Sequence, residues 1–267
     1  MASTLQYILT DYWNEPLVGD PRSLHLPMMS SLGPLLALIT GYVLLVIWIG
    51  PWLMQDRKPF ELRRVIIVYN LANIVFNLYF FCYILVGFDY GRKLFDFRRR
   101  YNDDHSPETY RNITHIWLYL LTKLFDLIET VFFVMRKKQS QVSFLHVYHH
   151  SVVPILVWVG LRCAPTFGPA GMFPLLNTVI HVVMYTYYLL AALGPQYQRY
   201  LFWKKYITTI QLAQFVIFTV YAVLGLIMNQ EGDYPMGPVL MGFAQAPLFF
   251  VMFYRFYQAS YVKPKRN

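Results

Sequence analysis

"GPLLALITGYVLLVIWIGPWL", residues 33–53, carries no charged side chain across its whole length. The hydrocarbon core of a bilayer is about 30 Å thick, and a helix crosses it with roughly 18 or more apolar residues. No water reaches that layer, so a spanning backbone has to pair its own N–H and C=O groups, as a helix does. The stretch reads as a transmembrane helix, and six more follow it. Apolar segments near 33–53, 65–87, 114–135, 143–162, 171–193, 204–228 and 236–258 predict seven spans in a chain of 267 residues. Only 14% of the residues are charged and 57% are apolar, against about a quarter charged in a soluble domain. The expected fold class is an all-α membrane protein with seven transmembrane helices in one bundle over 33–258. Segment 1–32 precedes it and a tail, 259–267, follows.

The net charge of +9 does not point to nucleic acid, because the basic residues sit in short loops between apolar runs. Lysine and arginine in such loops mark the cytosolic side. Loop 54–64, the "RKK" at 136–138, loop 194–205 and the C-terminus hold 14 basic residues against two acids, Asp56 and Glu61. The opposite side holds eight basic residues against ten acids, including "RRR" at 98–100. The expected orientation is N-terminus lumenal and C-terminus cytosolic. Asn112-Ile113-Thr114 is a glycosylation sequon on the lumenal side, so close to the third span that it is expected to stay unmodified. The N-terminus lacks the basic head and apolar centre of a signal peptide, so targeting is expected to come from a spanning segment. Cys82 and Cys163 lie in or beside apolar runs and suggest no disulfide framework.

Ionisable groups inside a span are costly and are usually functional. The third segment, "KLFDLIETVFFVMRKK", places Lys123, Asp126 and Glu129 three residues apart, along one side of a helix. The fourth opens with "FLHVYHHSVVP", putting His146, His149 and His150 at its mouth, with Ser143 as a candidate helix cap. In the fifth, "NTVIHVVMYTYY", Asn177 and His181 share a face that Tyr185 continues. The sixth, "KKYITTIQLAQF", places Gln211 and Gln214 near its start. Any one of these groups serves as interhelical glue. Their occurrence in four successive spans points to a common polar interior.

Three imidazoles at one helix mouth either hold a metal or act directly. Histidine is a common metal ligand, and membrane di-iron desaturases carry such boxes. They use about eight histidines, whereas His25, His105 and His115 here are isolated on or near the lumenal side. Lys123 also adds a positive charge that disfavours a cation. Neutral imidazole is a nucleophile and an acid–base group near neutral pH, and acyl-imidazoles are reactive enough to turn over. Cys163 lies roughly 20 Å along the helix from His149 at 1.5 Å per residue, which disfavours a cysteine–histidine nucleophile. Direct histidine chemistry is the favoured expectation. A histidine-box metal oxygenase, a seven-span receptor and a transporter are the alternatives.

In this order and at these spacings, "KLFDLIET", "LHVYHH", "NTVIHVVMYTYY" and "TTIQLAQF" resemble the very-long-chain fatty acid elongase family, as does "DRKPFELRRVIIVYN" at 56–70. The resemblance covers about residues 30–260. It departs at one point: the family pattern reads Lys-x-x-Glu-x-x-Asp-Thr, and here the acids are exchanged, as Lys123, Asp126, Glu129 and Thr130. The resemblance implies a 3-ketoacyl-CoA synthase of the endoplasmic reticulum, with the helix bundle around an acyl tunnel. Such an enzyme condenses acyl-CoA with malonyl-CoA, releasing CO2 and CoA, and needs no metal or other cofactor. His149 would attack the thioester, with His181 as second candidate, while His146 and His150 move protons. Asn177 and Gln211 would donate hydrogen bonds to developing oxyanions. Lys123, Asp126, Glu129 and Tyr185 would wall the site, and Arg136, Lys137, Lys204 and Lys205 would meet the CoA phosphates. Expected partners are the bilayer, the reductases and dehydratase of the elongation cycle, and a further copy of the chain. The ending "KPKRN" is similar to a dilysine retrieval signal.

Overall fold

A computed structural model of the protein describes residues 19–95, 105–165, 171–228 and 236–262. Every regular element among them is helical. The long helices are α1 (Gly33–Met54), α2 (Arg63–Gly87), α3 (Pro107–Phe125), α4 (Ile128–Met135), α5 (Phe144–Cys163), α6 (Met172–Leu193), α7 (Lys204–Met228) and α8 (Met236–Tyr257). Five of them, α1, α2, α5, α6 and α7, are long and apolar enough to cross a membrane. Their outward surfaces are greasy: Trp48, Trp52 and Val68 are all more than 60% exposed. Surfaces of that kind are stable only against lipid or another apolar partner.

The segment expected as an unbroken third span is divided. α3 begins earlier, at the cap of Ser106, whose hydroxyl accepts from the Thr109 N–H, and it stops at Phe125. Around Asp126 and Leu127 the backbone tightens into i→i+3 bonds: Leu127 to Leu124, Glu129 to Asp126 and Thr130 to Leu127. A short 3₁₀ stretch inside a helix marks strain or a functional hinge. Here it restarts the chain as α4.

The chain folds as two compact units, each described by itself. The first comprises residues 1–61, 98–167 and 228–242, the second 62–97, 168–227 and 243–267. In the first, α3 packs on α5, and α1 packs on α4 and α5. Its core draws on Leu35, Ile39 and Val46 of α1, Ile113 and Leu120 of α3, and Trp158 of α5. One end is closed by polar ties: the Trp158 indole donates to the Met28 carbonyl at 2.8 Å, and Arg162 donates to the carbonyl of Met29.

In the second unit α2 and α6 run antiparallel along much of their lengths. The Arg63 guanidinium, at the start of α2, donates to the carbonyls of Ala192 and Leu193 at the end of α6, at 3.0 and 2.5 Å. Farther along, the rings of Tyr69 and Tyr185 meet edge to face at 6.1 Å. At the far end, a side chain on Gly171 would collide with the ring of Phe88. The expected tail signal 263–267, the "RRR" at 98–100 and most of segment 1–32 lie outside the described residues.

Candidate active site

Break and turn together build the first unit's polar cluster. At the break, the Lys123 ammonium donates to an Asp126 carboxylate oxygen at 3.0 Å, with the two side chains 2% and 5% exposed. The ammonium also lies 5.0 Å from the centre of the Tyr119 ring. The expected row of three charges is thereby split. Lys123 and Asp126 satisfy one another, while Glu129, on the restarted helix, meets the histidines instead.

A short turn through 136–143 reverses the chain from α4 into α5, with Lys137 in the left-handed region at φ 55°. Ser143 caps α5 as expected, its hydroxyl accepting from the His146 N–H at 3.2 Å. The cap places His146 and His150, one turn apart, on the face toward α4. The Thr130 hydroxyl is bonded to His146 Nε2 at 2.9 Å and to the Tyr42 hydroxyl at 2.8 Å. The Glu129 carboxylate lies 3.7 Å from His150 Nε2. The rings of His146 and His150 are 4.1 Å apart, and His149 sits 5.5 Å from His150. His146 thus has a hydroxyl partner and His150 a carboxylate partner, with the His149 ring in edge contact with His150. Glu129, His146 and His150 also present ligand atoms within 4.8 Å of one another, so among the described residues these three form a group that could hold a metal ion.

The second unit carries the other expected group. Asn177 Nδ2 lies 3.2 Å from His181 Nε2. An amide nitrogen only donates, so Nε2 is the acceptor and neutral His181 carries its proton on Nδ1. Tyr185, fully buried, meets the His181 ring at 5.7 Å. Gln211 is half-buried, and its amide donates to the Met184 sulfur at 3.8 Å, a weak use of a donor. Gln214, one turn on, is buried.

The basic candidates stand at helix ends. Lys137 is exposed and donates to the Gln55 carbonyl at 2.9 Å, tying the turn to the end of α1. Arg136 is half-buried, and Lys204 and Lys205 are exposed at the start of α7. A cavity of about 250 Å³ in the first unit, lined by Val46, Gly50, Arg57, Phe60 and Val134 among others, touches none of the expected site residues. His25 and His105 are exposed and His115 bonds its own helix at Arg111, so these three stay apart from the cluster as expected.

One polar group escaped the sequence reading. Asn70, Asn73 and Asn77 in α2 are at most 3% exposed. Their i, i+3, i+7 spacing inside an apolar run was the available signal.

Residues 27–267 match the family described as ELO, GNS1/SUR4. A very long chain fatty acid elongase of Aedes aegypti is 43% identical over 100% of this chain and 74% of its own length. Very long chain fatty acid elongase 7 of Drosophila melanogaster is 41% identical over 92% of this chain and 74% of that protein. The human very long chain fatty acid elongase 1 is 39% identical, over 93% and 88%. With a match spanning nearly its whole length and several helices able to cross a bilayer, this chain is a multi-pass membrane protein and belongs to the ELO (GNS1/SUR4) family.

Proposed function

We propose that the protein lengthens fatty acyl chains as a 3-oxoacyl-CoA synthase, joining a long-chain acyl-CoA to the two-carbon unit of malonyl-CoA. The observation that carries this reading is the histidine cluster of a chain matching the ELO family over residues 27–267: His146 against Thr130, His150 against Glu129, and His149 beside them. In the first half-reaction His149 attacks the thioester carbonyl. The carbon–sulfur bond breaks, an acyl-imidazole forms, and CoA leaves as the thiol with a proton passed through the neighbouring imidazoles. His181 is the second candidate, and its Nε2 lone pair, which accepts from Asn177, has to leave that bond before it attacks. In the next half-reaction malonyl-CoA loses CO2. The electron pair left on its α-carbon attacks the acyl carbonyl, the carbon–nitrogen bond breaks, and the histidine leaves as imidazolate, which takes up a proton from solvent through the neighbouring imidazoles to replace the one lost with CoA. Asn177 and Gln211 supply donors for the oxyanions, and a site closed to water protects the acyl-imidazole.

In this reading the chain spans the endoplasmic reticulum membrane seven times, with α3 and α4 together forming one crossing and α8 another. The N-terminus is lumenal and the C-terminus cytosolic. Arg136, Lys137, Lys204 and Lys205 then meet the CoA phosphates, and Lys123, Asp126, Glu129 and Tyr185 hold the walls. The protein works beside the reductases and dehydratase of the cycle, alone or as a homo-oligomer, and uses no metal. Purified protein given acyl-CoA alone should release about one equivalent of CoA, and His149 should gain the acyl mass. His149→Ala should abolish both with the fold intact. Release only after malonyl-CoA is added would overturn the two-step scheme.

A second reading has the Glu129–His146–His150 arrangement behind it. Two imidazoles and a carboxylate are also the ligand set of some catalytic zinc sites. Elemental analysis separates the readings: near-stoichiometric zinc or iron, with turnover lost to a chelator, would favour the metal.

A further inference from the structure

Two amide atoms on α2 lie buried with nothing to bond. Asn70 Nδ2, a donor, and Asn73 Oδ1, an acceptor, have no hydrogen-bond partner, and their side chains belong to residues 2% and 0% exposed. Asn73 Nδ2 donates to the Tyr69 carbonyl at 3.1 Å, which fixes the amide and turns its oxygen away from the helix's own backbone. Leaving such a group unpaired costs at least as much free energy as an ordinary hydrogen bond contributes. Interhelical glue does not account for it, because glue pairs its atoms. Asn77, by contrast, has its Nδ2 on the Asn73 carbonyl at 2.8 Å.

The antiparallel register places these atoms. Arg63 meets Ala192 and Leu193, and Tyr69 meets Tyr185. Both helices rise 1.5 Å per residue, so four residues further along α2 and four back along α6 bring Asn73 level with His181. The orphan donor and acceptor, three residues apart on one side of α2, therefore stand at or within a turn of the level of a candidate reacting imidazole.

A ligand satisfying both atoms must offer an acceptor and a donor together. An acyl chain offers neither, and a thioester carbonyl offers only an acceptor. A secondary amide offers both, and the pantetheine arm of coenzyme A carries two of them. Resting on the elongase reading for the identity of the thioester, we infer that Asn70 and Asn73 form an amide subsite that receives the pantetheine arm of the acyl-CoA or malonyl-CoA beside His181.

Leucine has nearly the shape of asparagine and removes the amide. Asn70→Leu and Asn73→Leu should therefore leave the melting temperature of the purified protein unchanged or raised, since an unsatisfied polar group is gone. Each should weaken binding of the uncleavable thioether S-hexadecyl-CoA about fivefold, the loss of one hydrogen bond. KM for palmitoyl-CoA should rise by the same factor. The palmitoyl thioester of 2-mercaptoethanol, which lacks the amides, should be used equally by wild type and variants. A lowered melting temperature with unchanged thioether binding would make the asparagines structural and overturn the proposal. An equal loss on both thioesters would also overturn it, because the arm would not be what they hold. A wild type that binds the thioether with this pattern but elongates nothing would defeat the elongase reading and leave the subsite standing. A wild type that elongates without the pattern would do the reverse.

Discussion

Lys123 and Asp126 hold opposite charges in a volume nearly closed to solvent. Their mutual attraction has to offset the loss of water around both, so the pair is a weak source of net stability, yet removing one partner leaves a bare buried charge. Lys123→Met should destabilise the protein by about 3–5 kcal/mol. Asp126→Leu added to it should restore much of that loss. Thermal unfolding of the purified single and double variants measures this, and a double variant no more stable than the single one would show that the two charges do not neutralise each other. The same split gives the two acids different partners. The shorter acid, Asp126, stands three residues from Lys123 across the tightened turn. The longer one, Glu129, reaches from α4 toward His150 on α5. Each carboxylate has a partner at its own length.

Among the elements, α1 contains the device that lets it approach α4. Its middle widens into a π turn, Leu45–Ile49, closed by the Gly50 N–H donating to the Leu45 carbonyl. A side chain at Gly50 would come within 2.6 Å of that carbonyl and 2.7 Å of a Val134 methyl. Alanine is the better helix former by about 1 kcal/mol. Overpacking costs about 1–3 kcal/mol, and here part of the clash is with backbone, which yields less than a side chain. Gly50→Ala should therefore lower the melting temperature, and an increase would mean that α1 is not held against α4 at this point. A similar economy governs the α4–α5 turn. The Ser143 cap fixes where α5 starts, and so which of its histidines face Thr130 and Glu129.

For the molecule as a whole, the distribution of basic residues predicts which ends face the cytosol. Lys138 and Glu108 are both exposed and lie at opposite ends of the α3–α4 segment, so the proposed seven-crossing arrangement puts them on opposite faces of the bilayer. In a background lacking Cys82, the exposed native cysteine, Lys138→Cys should react with a membrane-impermeant maleimide added to the cytosolic face of sealed vesicles. Glu108→Cys should react only after permeabilisation. Labelling of both from one side would show that the broken segment returns to the side it entered, reducing the number of crossings.

Much of this architecture was legible in the residues. Uncharged runs such as 33–53 admit no other stable state in a bilayer, because only a helix closes its own hydrogen bonds there, and the Ser143 cap follows from local chemistry. The histidines, Lys123, the two acids and His181 were also visible, as polar groups in segments where they are expensive. Partnership was not visible. Three-residue spacing made Lys123, Asp126 and Glu129 look like one row, and only the fold, by tightening the backbone at 126–127, divided them between an internal ion pair and the histidines. The asparagines of α2 passed unnoticed because amides are ordinary glue until their neighbours are known. Spacing along a chain determines which side chains share a helix face. Which atom meets which, and which is left without a partner, depends on neighbouring helices remote in sequence, and that the tertiary structure alone decides.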